Sequence, residues 1–178
     1  MPTTTLFMNT VVGAIAAAGV AITSLVGVSS GPAYDSDELT RLSRTEASVH
    51  ADQVFLRADR DGDSALNVDE FAALNIVTAE LANLNGFISV EKPGAIETIA
   101  LPNRTASALS ASEHARIDAV SRHTFYAFAG EDGKMQQGEY KDLQEAIFLS
   151  SDLNANGALT RAELALFAQR QAFLRPEA

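Results

Sequence analysis

Hydrophobic and polar positions divide this chain into regions of different character. Residues 6–28 contain no charge, and 11–28 are apolar or small almost throughout. A run of that length is enough to cross a bilayer, which needs about 20 residues. Small residues follow at 29–33, so 1–33 reads as a signal peptide or a membrane anchor. Cleavage after Ser30 or Ala33 would release the remainder outside the cytoplasm, periplasmic or secreted; the alternative is anchorage through 6–28. No Lys or Arg precedes Arg41, a departure from the basic start that signal peptides usually have. Residues 34–44 are short and polar and read as a tether.

Beyond the tether the pattern turns helical. Thr45 can cap a helix running through Ala58, 68–83 forms a second, and Ser112 can cap a third reaching about Ala127. The stretch between Glu139 and Asp152 fits one more helix about 16 Å long, and 160–174 fits a last one that stops before Pro176. Between them the period changes. β-Branched and apolar residues at 87–90 and 95–101 flank Glu91-Lys92-Pro93-Gly94, the pattern of a small β-hairpin around a Pro-Gly turn. The expectation is a mainly α domain with a β-hairpin insert.

Oxygen-bearing side chains recur at a spacing that the helices do not explain. In 152–163, Asp152, Asn154 and Asn156 alternate along a segment closed by Glu163, with Gly157 between the third and fourth expected ligands. Such alternation turns three side-chain oxygens toward one hard cation; the Ala158 carbonyl adds a backbone ligand, Thr160 stands where a bridging water is held, and Glu163 chelates with both oxygens. Residues 59–70 repeat the spacing with Asp59, Asp61, Asp63, the Ala65 carbonyl, Asn67 and Glu70. The flanks repeat as well. Phe55 and Phe148 each stand four residues before their loop, and Phe71 and Leu164 immediately follow it.

These two segments resemble the EF-hand family, in which a helix, a twelve-residue calcium loop and a second helix form one unit. The resemblance implies an EF-hand-like domain over 45–178 with Ca²⁺ as its ligand. It also implies that the eighth loop residues, Leu66 and Leu159, pack in a ladder between paired loops, and the expected pairing sets these two side by side. One departure stands out: Ser64 occupies the position where the family has glycine, so a residue with a side chain must take a left-handed conformation. Residues 128–139 resemble the later part of such a loop, with Asp132, Gly133, Met135 and Glu139 in family positions. Phe128 and Gly130 offer no oxygen there, so this loop keeps the turn and has lost the metal. A fainter echo begins at Asn83 and carries Lys92 at its last position.

Composition narrows the function. The chain of 178 residues has 23 acidic against 13 basic residues and a formal net charge of −10. That balance disfavours nucleic acid and suits cation binding. Without cysteine there are no disulfides and no thiolate chemistry. The three histidines, His50, His114 and His123, fall in no catalytic motif, and His114 and His123 lie on opposite faces of one helix. Asp118 and the Glu131-Asp132 pair read as solvated charges. The expectation is therefore a calcium-binding protein and not an enzyme, serving as a calcium-stabilised structural module or a sensor or buffer. The alternative is a protein-interaction module, or an accessory subunit of an envelope complex, whose loops only brace the fold. No feature names the protein partner.

Overall fold

The computed structural model describes residues 38–101 and 106–173, all within one unit of the chain, Asp35–Ala178. The expected signal or anchor segment lies outside the described residues. Among the described residues no helix is long and apolar enough to cross a membrane.

The architecture is mostly helical with small two-stranded sheets. In order the elements are β1 (Arg41–Ser43), α1 (Arg44–Ala58), β2 (Ala65–Leu66), α2 (Val68–Asn85), β3 (Phe87–Lys92), β4 (Ala95–Ala100), α3 (Ala111–Phe128), β5 (Met135–Gln136), α4 (Gln137–Ser151), β6 (Ala158–Thr160) and α5 (Ala162–Gln171). Every helix expected from the periodicity is present, with some ends displaced. α1 is capped by Ser43 in place of Thr45, and α3 by Ser110 in place of Ser112; each serine receives the N–H of a glutamate that in turn accepts the serine N–H. Both are Ser-x-x-Glu boxes, which satisfy more of the free N–H groups of the first turn than a lone hydroxyl does. α5 starts at Ala162 because Arg161 takes φ +46°, outside the helical range.

β3 and β4 form the expected antiparallel hairpin, in register from Phe87 opposite Ala100 to Lys92 opposite Ala95. Pro93 and Gly94 make the turn, and Gly94 at φ +81° is the left-handed residue such a turn needs. The faint loop echo from Asn83 is not a loop. Asn83 and Asn85 complete the last turn of α2, Gly86 at φ +74° ends that helix, and the rest is β3.

The tertiary pairing of short strands differs from the sequence expectation. Leu66 faces Met135 in the β2–β5 ladder, and Leu159 faces Leu42 in the β1–β6 ladder; Leu66 and Leu159 are not partners. Arg41–Ser43, read from sequence as the end of a tether, is a strand of the domain. The ladder asks only for an apolar residue and free backbone groups, so Met135 and Leu42 serve although neither belongs to a loop with the complete oxygen spacing.

Two cores follow from the two ladders. Beneath β2–β5, Phe55, Phe71, Phe125, Tyr140, Leu66 and Met135 are buried together; Phe71 and Phe125 stack tilted at 5.9 Å and Phe55 and Tyr140 at 5.8 Å between centroids. Beneath β1–β6, Leu42, Leu159, Phe148, Leu164 and Phe167 join Val90 and Ile99 of the hairpin, with Phe148 edge-on to Phe167 at 6.4 Å. The flanking Phe55, Phe71, Phe148 and Leu164 are thus core residues. Ile147 packs against both cores from α4.

Candidate metal centre

Both oxygen-rich loops end one helix and begin another. Asp59 and Asp152 are the C-terminal caps of α1 and α4, their N–H groups bonded to Phe55 O and Phe148 O at 3.0 Å each. From these caps the chain curls through matched bonds. Asp59 Oδ2 accepts from Ser64 N at 3.0 Å and Asp152 Oδ2 from Gly157 N at 2.8 Å. Asp61 Oδ1 accepts from Asp63 N, and Asn154 Oδ1 from Asn156 N, both at 3.1 Å. Asp63 Oδ1 accepts from Ala65 N at 3.0 Å and Asn156 Oδ1 from Ala158 N at 2.9 Å. A carboxylate or amide oxygen that accepts one N–H in this way keeps a further lone pair with which to accept or ligate.

The closing glutamates act alike. Glu70 Oε1 accepts from Arg60 N at 2.9 Å and Glu163 Oε1 from the Asn154 amide Nδ2 at 2.7 Å. Their Oε2 atoms accept from Asn67 N at 3.0 Å and Thr160 N at 3.1 Å. Each glutamate therefore folds back over the start of its loop from the first turn of α2 or α5. Asn67 caps α2 through bonds from Asp69 N and Glu70 N, and the Thr160 hydroxyl reaches Glu163 Oε2 at 3.4 Å. Ala65 and Ala158 lie buried in β2 and β6.

The curl requires left-handed residues at the same two places in both loops. Gly62 (φ +72°) and Ser64 (φ +70°) supply them in the first, Ala155 (φ +55°) and Gly157 (φ +76°) in the second. Ser64 thus adopts the strained conformation expected of it, while Gly62 serves a left-handed position of its own.

Charge distinguishes the loops. Ligand oxygens of Asp59, Asp61 and Asp63 lie within 4.8 Å of one another, a grouping that could hold a metal ion. Asp152 and Glu163 are only 8% and 6% exposed, yet among the described residues no basic side chain pairs with either. Buried carboxylates ordinarily have a cationic partner or a metal. The donor set of both loops is oxygen alone, which suits a hard divalent cation. In the first loop Asp63 Oδ2 meets Lys134 Nζ at 2.6 Å. That hydrogen bond and the N–H of Ala65 hold the Asp63 carboxyl below its ordinary pKa, and the same bond holds the Lys134 ammonium above its own.

The loop expected to have lost its metal keeps its frame. Gly133 is left-handed at φ +69°, Asp132 Oδ1 accepts from Lys134 N at 3.0 Å, and Glu139 Oε2 accepts from Gln136 N at 2.8 Å. A Cβ added to Gly130 would lie 3.0 Å from Glu139 Oε1, so the glutamate closes over the backbone where a third-position ligand would stand.

The sequence reading missed one such closure. Ser43 N donates to Glu46 Oε2 at 2.8 Å, so Glu46 stands to Leu42 as Glu70 stands to Leu66. The signal was present: Leu42-Ser43-Arg44-Thr45-Glu46, Leu66-Asn67-Val68-Asp69-Glu70, Met135-Gln136-Gln137-Gly138-Glu139 and Leu159-Thr160-Arg161-Ala162-Glu163 share an apolar residue, a polar cap and a glutamate at fixed spacing. At Glu46 the carboxylate already has a cation, Lys92 Nζ at 3.1 Å, which also meets Glu97 at 3.1 Å.

His114 pairs with Glu80 at 3.2 Å, His123 is exposed, and Asp118 holds Arg122 at 3.0 Å. His50 is different. Its Nδ1 accepts the Glu91 N–H at 3.1 Å, joining α1 to the hairpin, and burial lowers its pKa to about 4 against the pull of Glu91.

No protein-family model, no curated protein and no solved structure matches this chain.

Proposed function

We propose that this chain is a calcium-binding protein of the EF-hand type with two working loops, 59–70 and 152–163. The observation that carries the reading is the agreement of the two loops, distant in sequence, in their capping aspartate, left-handed residues, sequential N–H to oxygen bonds and back-folded glutamate. Asp59, Asp61, Asp63 and Glu70 would hold one ion, and Asp152, Asn154, Asn156 and Glu163 the other, with the carbonyls of Ala65 and Ala158 as backbone ligands. Bound Ca²⁺ would neutralise each carboxylate set. The chain's own residues set the helix directions, because each loop caps the helix before it and its glutamate folds back from the first turn of the helix after it, Glu70 as part of a capping box with Asn67 and Glu163 onto Thr160 N. The role we propose for it is that of a calcium-stabilised module, and the export signal expected in 1–33 would place it outside the cytoplasm.

A second reading, an interaction module that the loops brace, is favoured by Val77, Leu81 and Leu84, which expose 48%, 52% and 43% of their surface at i, i+4 and i+7 on α2. Calorimetric titration of calcium into the full chain, with magnesium present, tests both. Two sites, one lost with Glu70→Gln and the other with Glu163→Gln, support the first reading; absence of calcium heat from the folded chain removes it.

A further inference from the structure

We propose that Lys134 sets the cation affinity of the first loop from across the β2–β5 ladder, as a tethered ammonium that a divalent ion must displace. The inference rests on the calcium reading of 59–70 and deepens it. Met135 and Leu66 face each other fully buried, so the backbone beside Met135 is fixed relative to the first loop. Lys134 is the residue immediately before Met135. Its own N–H is tied to Asp132 at 3.0 Å, and its side chain crosses to place Nζ 2.6 Å from Asp63 Oδ2.

Asp63 is the one carboxylate of the three-aspartate group with a cationic partner among the described residues, and its other oxygen is committed to Ala65 N. An ion entering the group therefore meets a ligand already bonded to a positive charge, within a few ångströms of where its own charge would sit. The geometry is confined to one loop. The strand facing the second loop, Arg41–Ser43, sends no ion pair to it, and the nearby Arg44 guanidinium binds Glu145 instead. The first loop thus joins four carboxylates to one competing ammonium, whereas the second has two carboxylates and none. The ammonium is half exposed and its stem flexible, so it can leave Asp63 without disturbing the ladder.

Calcium binding to the full chain decides the matter, measured by calorimetry for the wild type, Lys134→Met and Lys134→Arg. Each is also measured with Glu70→Gln, which identifies the heat of the first loop. Methionine keeps the stem and removes the charge, so the first-loop Kd should tighten by about five-fold, the scale of an exposed ion pair lost together with its like-charge repulsion. The second-loop Kd should move less than two-fold, and Lys134→Arg should stay near the wild type. Equal shifts in both loops, or none in the first, would overturn the proposal. A titration in which no site responds to Glu70→Gln in any background removes the calcium reading of the first loop, and the Lys134 proposal with it.

Discussion

Leu42 lies directly opposite Leu159, and both side chains are fully shielded from solvent. The contact ties a residue just before the first helix to the eighth residue of the second loop, and Phe148, Leu164 and Phe167 close around the pair. Replacing Leu42 by alanine would leave a cavity where the ladder meets this core. Denaturant unfolding of Leu42→Ala should show a loss of about 3 kcal/mol. Calcium affinity should fall at 152–163 and hold at 59–70, because the first loop rests on Met135. An equal loss at both loops would contradict the separation of the two ladders.

The left-handed positions predict opposite responses to glycine. Ser64→Gly relieves a side chain held at φ +70° and should raise stability by about 0.5–1 kcal/mol, after the entropy that glycine adds to the unfolded chain. Gly157→Ala imposes the same conformation on a Cβ at φ +76° and should lower stability by about 1 kcal/mol. The space around Gly157 is open, so any loss reports backbone strain and not a clash. Thermal denaturation of both variants in chelator reads the two signs without a contribution from metal.

His50 makes stability depend on pH. Its pKa falls from 6.5 when exposed to about 4 in the fold, so below 6.5 the unfolded chain takes up a proton that the folded chain refuses. Its contribution is complete above pH 6.5 and is lost progressively as the pH drops toward 4, by up to about 3 kcal/mol. His50→Asn keeps an acceptor for the Glu91 N–H without the titration. Urea midpoints across this window should therefore fall less steeply for the variant; parallel curves would refute the assignment.

Calcium should stabilise the fold through each loop separately. At a free concentration one hundred times Kd, one site contributes about 2.7 kcal/mol. Glu163→Gln should abolish the increment of the second loop. In chelator, where burial of Glu163 at 6% exposure is opposed by no cation, the same variant should match or exceed the wild type in melting temperature. A variant that is less stable in chelator would give Glu163 a purely structural role.

Much of this was legible along the chain. The helices followed from periodicity, the hairpin from β-branched runs around Pro93-Gly94, and the oxygen groups from spacing. What escaped was which strands meet. Strands of two or three residues carry almost no pattern of their own, and the pairing is decided by how α1 lies on α4 and α2 on α3, which no local signal specifies. Leu66 and Leu159 looked like partners because each sits inside a loop with an oxygen donor at every expected position. The repeated unit is smaller, an apolar residue with a polar cap and a glutamate, and it also occurs at Leu42 and Met135, where the ligands are incomplete. Lys134 escaped for a related reason: its role depends on the register across β2–β5, not on its neighbours in sequence.

The two ladders are nested, β2–β5 lying inside the span of chain that β1–β6 brackets. During synthesis the inner ladder and its phenylalanine core can assemble while later residues are still being added. Arg41–Ser43 must wait unpartnered until Ala158–Thr160 emerge, on the order of ten seconds at ordinary rates of translation. The earliest-made strand among the described residues is thus among the last to be secured, and a nascent chain halted before β6 would hold its first loop ready while the edge of β1 stood open to any passing strand.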